Sequence, residues 1–321
     1  MLSCKNSVML SQAKSARFQP KLILQILLFF AVFGVGSSAA SFVLTIPTVA
    51  AIFTSEEVMS SIFAYDFEGT IVAAMELINL PWLMLLSLFA TACTTVLCIV
   101  YCTKIERRSL RSMGFVKQGF LLNYLKGFVI GTAMLFVCAA IAWALGALDF
   151  SFAKKIPVFY IFAFLLGFLI QGMSEEVLLR GFFMVSLANR CHVALAVTIS
   201  SIAFSLLHLM NPGITLLALV NIGLFGGFMG VYVLRTDDLW GACAIHSAWN
   251  FVQGNILGIQ VSGTGQLPTV AVMRPVSGMD LLSGGRFGLE AGLIVTIVTA
   301  AAICLTLFLP RKKEQTEAQV L

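Results

Sequence analysis

Eight runs of about twenty apolar residues dominate this chain, and at 1.5 Å per residue each can cross a hydrocarbon core of about 30 Å as an α-helix. They lie at Lys21 to Leu44, Leu80 to Thr103, Leu121 to Leu148, Ile156 to Met173 or beyond, Val193 to Leu209, Ile214 to Leu234, Leu239 to Gly258, and Gly288 to Leu309. With 59% hydrophobic residues, 11% charged residues and a mean hydropathy of +0.97, the chain has too little polar surface for a soluble globule of its size. The length of the runs and their lack of alternation exclude a β-barrel. The expected fold is an all-α, polytopic transmembrane helix bundle of about eight spans.

The connections between the runs are polarised. With a cytoplasmic amino terminus, the inside segments receive Lys5, Lys14, Arg17 and Lys21, then Lys104, Arg107, Arg108, Arg111 and Lys117. They also receive Arg180, Arg190 and Arg235, then Arg311, Lys312 and Lys313, which leaves only Lys154, Lys155, Arg274 and Arg286 outside. This follows the positive-inside rule and predicts both termini in the cytoplasm. The segment Thr45 to Asn79 carries Glu56, Glu57, Asp66, Glu68 and Glu76 with no Lys or Arg, as an external segment can, and leaves room for a short surface helix. The first run is long for a signal peptide, and removing it would leave an odd number of spans, so it is read as retained.

Residues 1–120 are read as two spans with an acidic external loop and a basic cytoplasmic loop, 121–310 as the membrane core with the candidate chemistry, and 311–321 as a cytoplasmic tail. All form one domain, since three helices with apolar interiors have no evident purpose alone. Most cysteines lie in or at the ends of spans without a CxxC pair, so no structural disulfide is expected. The net charge of +5 sits mostly in cytoplasmic loops and reads as topology and anionic-lipid contact, not nucleic-acid binding.

Against this background a few ionisable residues stand where a membrane protein tolerates them least, since a charge at a helix centre costs roughly 2.5–3.5 kcal/mol on insertion scales. The first group is Ser174-Glu175-Glu176-Val177-Leu178-Leu179-Arg180-Gly181. Glu176 and Arg180 are four apart, acid first, the favourable order for an ion pair on one helix face. Glu175, about 100° round the helix, is then free to face elsewhere. One paired anion beside one free carboxylate suits acid/base chemistry, with Glu175 as general base. The blander reading is a solvated helix end.

His208 closes the apolar run that ends Phe204-Ser205-Leu206-Leu207-His208. If the chain turns near Arg190 to His192, Glu175 and His208 reach similar depth in an antiparallel hairpin. His192, in the turn itself, serves as a control. The third group, His246-Ser247-Ala248-Trp249-Asn250, puts an imidazole and an amide on one face, as paired donors to one oxygen require. Interhelical hydrogen bonding that merely packs the bundle, worth about 0.6 kcal/mol on average, is the competing reading. Straight helices leave His246 and His208 about 10 Å apart in depth, so a shared site requires a tilted interfacial helix over Gly181 to Asn189 or a shifted turn. Asn221 with Gly223, Gly226, Gly227 and Gly230 forms a small-residue packing face, and Gln171 is a candidate cavity residue that nothing in the sequence requires.

Together, a water-activating acid, a histidine and a donor pair form a hydrolytic site without a serine or cysteine nucleophile. Two forms of catalysis remain open. One uses no cofactor and activates water with Glu175; the other holds a divalent metal such as zinc on Glu and His ligands, although the usual His-Glu-x-x-His signature is absent.

Glu-Glu-x-x-x-Arg at 175–180, Phe-x-x-x-His at 204–208 and His-x-x-x-Asn at 246–250, in that order on successive membrane helices, resemble the CPBP family of CAAX-type prenyl endopeptidases and bacteriocin-processing or immunity (Abi) proteins. The resemblance covers roughly Ile156 to Gly258, and Arg111-Ser112-Met113-Gly114-Phe115 resembles a basic, glycine-containing segment that precedes the core in bacterial members. It implies an intramembrane endopeptidase in which Glu175 and His208 activate water, His246 and Asn250 stabilise the oxyanion, and Glu176 and Arg180 support the site. The implied partners are membrane lipids and a membrane-associated peptide or protein substrate, with processing of, or immunity to, a bacterial peptide as the expected role. Two other classes stay open: a non-proteolytic immunity or scaffold protein, and a secondary transporter, for which a matching pair of broken helices is missing.

Overall fold

The computed structural model describes residues 7–308. Lys5, Arg311, Lys312, Lys313 and the expected tail at 311–321 lie outside them. Each of the eight apolar runs is helical: α1 (Leu22–Thr54), α2 (Pro81–Ile105), α3 (Phe120–Ala144), α4 (Val158–Ala188), α5 (Val193–Leu206), α6 (Leu216–Thr236), α7 (Trp240–Phe251, continued by a wide turn over Val252–Ile256) and α8 (Leu293–Phe308). Five of them, α1 to α4 and α6, are long and apolar enough to span a bilayer by themselves, while α5 and α8 are shorter apolar helices. The chain is a multi-pass helical membrane protein. Large apolar side chains such as Val129, Phe162, Leu166 and Leu305 remain exposed on its flanks, where lipid tails replace water.

Loop contacts sort the two faces. On one, Arg111 pairs with Asp237 at 2.5 Å, the Leu239 N–H donates to Gly114 O at 2.9 Å, Arg17 N–H donates to Glu106 O at 2.8 Å, and Arg190 reaches Pro20 O. On the other, β1 (Leu148–Phe152) pairs antiparallel with β2 (Ala271–Pro275), Leu148 opposite Pro275, and Asn211 Nδ2 donates to Ser262 O at 2.9 Å. The hydropathy pattern had not announced this ribbon, whose five-residue strands follow the ends of apolar runs. The basic loops share the first face, and Lys154, Lys155, Arg274 and Arg286 belong to segments of the second.

Two boundaries differ from the sequence reading. At 33 residues α1 is about 50 Å long, about 20 Å more than a 30 Å core needs, and two more helices, Glu56–Phe63 and Phe67–Ile78, follow it. Ser55 and Asp66 cap those helices by accepting from Val58 N and Gly69 N. The eighth helix starts at Leu293, not Gly288, because residues 284–292 turn through Gly284 (φ +78°) and Gly288 (φ +105°).

Close packing is set by small residues. A Cβ on Gly127 would lie 2.2 Å from Gly241 O, and one on Gly131 2.3 Å from Ile245 O, so α3 touches α7 backbone to backbone. A Cβ on Gly172 would lie 2.7 Å from Ser247 N, so α4 and α7 meet as closely, one residue from His246. The glycine face expected on α6 is uneven. Gly226 faces Arg180 Nη2 at 3.0 Å from a would-be Cβ and Gly230 faces Val197 at 3.0 Å, whereas Gly223 and Gly227 have room.

Candidate active site

α4 carries Glu175 and Glu176 at the point where its α-helical turns give way to the wider turns of Val177–Met184. Such π-type turns leave carbonyls poorly matched within the helix. Here side chains supply donors: Ser200 Oγ donates to Leu179 O at 3.0 Å, and Arg108 Nη2 to Gly181 O at 3.2 Å. Arg108 is itself buried and paired with Glu106 at 2.7 Å. The wide turns run on without a break into Val185–Ala188, so Gly181 to Ala188 belongs to α4 and is not a separate helix.

The two glutamates have opposite surroundings. Glu176 is wholly buried, and its Oε1 accepts from Arg180 Nη1 at 3.0 Å and from His246 Nδ1 at 2.8 Å. The side chain of Glu175 is 29% exposed and faces a cavity. Its Oε1 accepts from Gln171 Nε2 at 2.6 Å, while Oε2 has no hydrogen-bond partner and lies 3.6 Å from His246 Nε2. Because a carboxylate can only accept, Glu176 fixes the proton of His246 on Nδ1 and turns Nε2 toward Glu175. One imidazole therefore bridges the pair.

Asn250, one turn along α7, lines the same cavity as the imidazole. Its Nδ2 donates to Gln171 Oε1 at 2.9 Å, so Asn250, Gln171 and Glu175 form a chain of hydrogen bonds. Gln171 is thus the polar residue that the motifs undervalued. Its legible signal was its spacing, four residues before Glu175 on the same helix face.

His208 lies in the turn just past the end of α5, with Nδ1 2.9 Å from Phe204 O and its ring edge-on to Phe204 at 4.9 Å. It lines the same cavity as Glu175, His246 and Asn250 without touching Glu175. Phe204 is the common floor: its ring also meets His246 at 5.9 Å between centroids, and the Arg180 guanidinium stacks over it at 4.8 Å. His192 caps α5 by accepting from Ala194 N and stays apart from the site.

The cavity measures about 760 Å³. Its apolar walls include Phe164, Phe168, Phe225 and Trp249, with Leu83 and Leu88 contributed by α2. Its far end carries Asn221, whose Nδ2 donates to Glu290 O at 2.8 Å, and Glu290, whose carboxylate accepts from Ser262 N and Oγ and from Gln253. Among the described residues, no three His, Cys, Asp or Glu side chains converge as a cation's ligand set. Glu176 Oε1 is engaged by Arg180 and His246 Nδ1, while Glu176 Oε2 and Glu175 Oε2 have no hydrogen-bond partner. The seven described cysteines are all free.

Fold and site together define a polytopic helical membrane protein with a buried, ionisable centre on the wall of a large cavity. Residues 157–252, under a third of the chain but all of the site helices, match the family described as type II CAAX prenyl endopeptidase Rce1-like. This is the family, and nearly the stretch, to which the three motifs pointed. No curated protein and no solved structure matches the chain.

Proposed function

We propose that this protein is an intramembrane endopeptidase that cuts a membrane-associated peptide with a water activated by Glu175. The observation that carries this reading is Glu175, whose side chain lines the cavity while its buried Oε2 has no hydrogen-bond partner and lies 3.6 Å from His246 Nε2.

In this reading Glu175 takes a proton from the water as its oxygen attacks the scissile carbonyl carbon. The tetrahedral oxyanion accepts a hydrogen bond from the second Asn250 Nδ2 proton, the first being held by Gln171. Glu175 then returns the proton to the leaving nitrogen, and the C–N bond breaks. His246 orients the water, with Glu176 and Arg180 holding its ring. His208, whose Nδ1 donates to Phe204 O, offers Nε2 as a further base at the cavity wall. No step of this reading requires a metal.

We assign the protein to the cell membrane with both termini cytoplasmic, on the strength of its loop charges. The first two spans serve the core as a wall of its cavity. The biological role we propose is processing of, or self-protection against, a bacterial peptide. The test is hydrolysis of fluorogenic peptides, prenylated and unmodified, by detergent-purified protein, beside Glu175→Gln and with chelator. Turnover that survives chelator and is lost in Glu175→Gln is the expected result. Loss on chelation would move the mechanism to a metal, and a well-folded wild type inert on every peptide would favour a non-proteolytic immunity protein.

A further inference from the structure

We infer that the cavity receives its peptide from the side of the membrane opposite the basic loops, so that the substrate is an exported peptide whose apolar segment, flanked by basic residues, is presented at the outer leaflet. This rests on the endopeptidase reading above and adds the side and chemical class of the substrate.

The lining of the cavity carries the inference. Glu175 and His246 belong to its helical lining, and its loop residues, among them Asn79, Asn211, Gln260, Ser262 and Arg286, belong to the face that carries the β1–β2 ribbon. None comes from 106–119, 189–192 or 235–239, the segments of the opposite face. That opposite face holds Lys14, Arg17, Lys104, Arg107, Arg111, Lys117, Arg190 and Arg235, which retention of positive charge assigns to the cytoplasm. A cavity blind toward the cytoplasm and walled by external loops is filled from outside.

The rim adds the chemistry. Met75, Ile78 and Asn79, at the end of the helix Phe67–Ile78, line the cavity. The segment from Thr45 to Asn79 presents Glu56, Glu57, Asp66, Glu68 and Glu76 to solvent with no Lys or Arg, against the single cation Arg286 among the cavity's described residues. Phe63, Tyr65 and Phe67 of the same segment are 75%, 97% and 80% exposed, the aromatic composition of a bilayer interface. An acidic, aromatic platform beside an apolar cavity concentrates basic, amphipathic peptides and repels acidic ones.

Two measurements test this. In the first, Thr264→Cys at the rim and Ser109→Cys on the basic face, both exposed positions, are treated with a membrane-impermeant maleimide in right-side-out and in inverted vesicles, with the wild-type protein as the labelling blank. Labelling of Thr264→Cys only in right-side-out vesicles and of Ser109→Cys only in inverted ones is expected. The reverse pattern overturns the assignment whether or not the protein cleaves anything. In the second, quenched peptides with one apolar segment and either Lys or Glu flanks are added outside the two vesicle types and to detergent-solubilised protein. Cleavage in detergent and in right-side-out vesicles, with KM about tenfold lower for Lys flanks at low salt and the difference collapsing at about 1 M salt, is expected. Cleavage in detergent and only in inverted vesicles overturns the sidedness, and equal KM values at low salt overturn the basic-peptide class. Absence of cleavage in detergent counts against the endopeptidase reading itself, leaving the labelling result to decide the side.

Discussion

His246 Nδ1 lies 2.8 Å from Glu176 Oε1, and this one hydrogen bond decides which imidazole nitrogen faces the neighbouring glutamate. Adjacent carboxylates, 100° apart on one helix, thereby acquire different tasks. Glu176 holds Arg180 and the imidazole through Oε1, and Glu175 lines the cavity.

Glu175→Gln and Glu176→Gln should therefore fail in different ways. The first leaves the Arg180–Glu176–His246 cluster intact, so the protein should unfold at nearly the wild-type temperature in detergent while kcat falls about 10²–10⁴-fold, the range of a lost general base. The second strips the buried Arg180 of its counter-charge and should cost about 3–5 kcal/mol of stability. Equal thermal stability of the two variants would contradict this division.

Gly172→Ala should separate α4 from α7. The new methyl would sit 2.5 Å from Ser247 Oγ and 2.7 Å from Ser247 N, and only the first contact can relax by rotating a side chain. A cost of about 1–3 kcal/mol is expected, with kcat falling more than KM rises as His246 is pushed from Glu176. The double variant with Ser247→Gly should not recover, because the backbone nitrogen remains; full recovery would show that the helix contact does not set the site.

Asn250→Ala should lower kcat about 10²–10³-fold if its amide meets the oxyanion, with little change in KM. His208→Ala should cost little stability, since its Nδ1 bonds within its own stretch of chain, to Phe204 O. Its kcat, measured on the same peptide, should still fall. A His208→Ala protein with wild-type kcat would remove that residue from the chemistry.

Arg108 should prove important although it lies far along the chain from the motifs. It donates to carbonyls of Gly181 and Phe182 and pairs with Glu106 in a buried setting. Arg108→Met should destabilise by about 3–5 kcal/mol, and Arg108→Lys should rescue poorly, because a single ammonium cannot span the fork of contacts made by Nε and Nη2. Thermal unfolding in detergent of the two variants measures both effects.

The helices were legible because each apolar run is long enough to cross a bilayer, and the Glu176–Arg180 spacing was legible because helical periodicity alone brings those residues to one face. The Rce1-like match over 157–252 agrees with the family read from the three motifs. The position of His246 between the glutamates was not legible. It depends on Gly172 letting two backbones meet, a contact between residues 75 positions apart. The partners of Asn250 and Gln171 were hidden for the same reason, as was the common contact of Phe204 with Arg180, His208 and His246.

By itself, then, the sequence determined a multi-pass helical bundle, its spans to within a few residues at most ends, and the groups too costly to bury without purpose. Those properties follow from transfer energies and helical repeat, which act within a short stretch of chain. Only the tertiary structure decided that His246 rather than His208 touches Glu175, that Gln171 ties Glu175 to Asn250, and that the cavity is walled by loops of one face. Those are distances between helices, and they are set by which glycines permit contact and where a wide turn shifts the register.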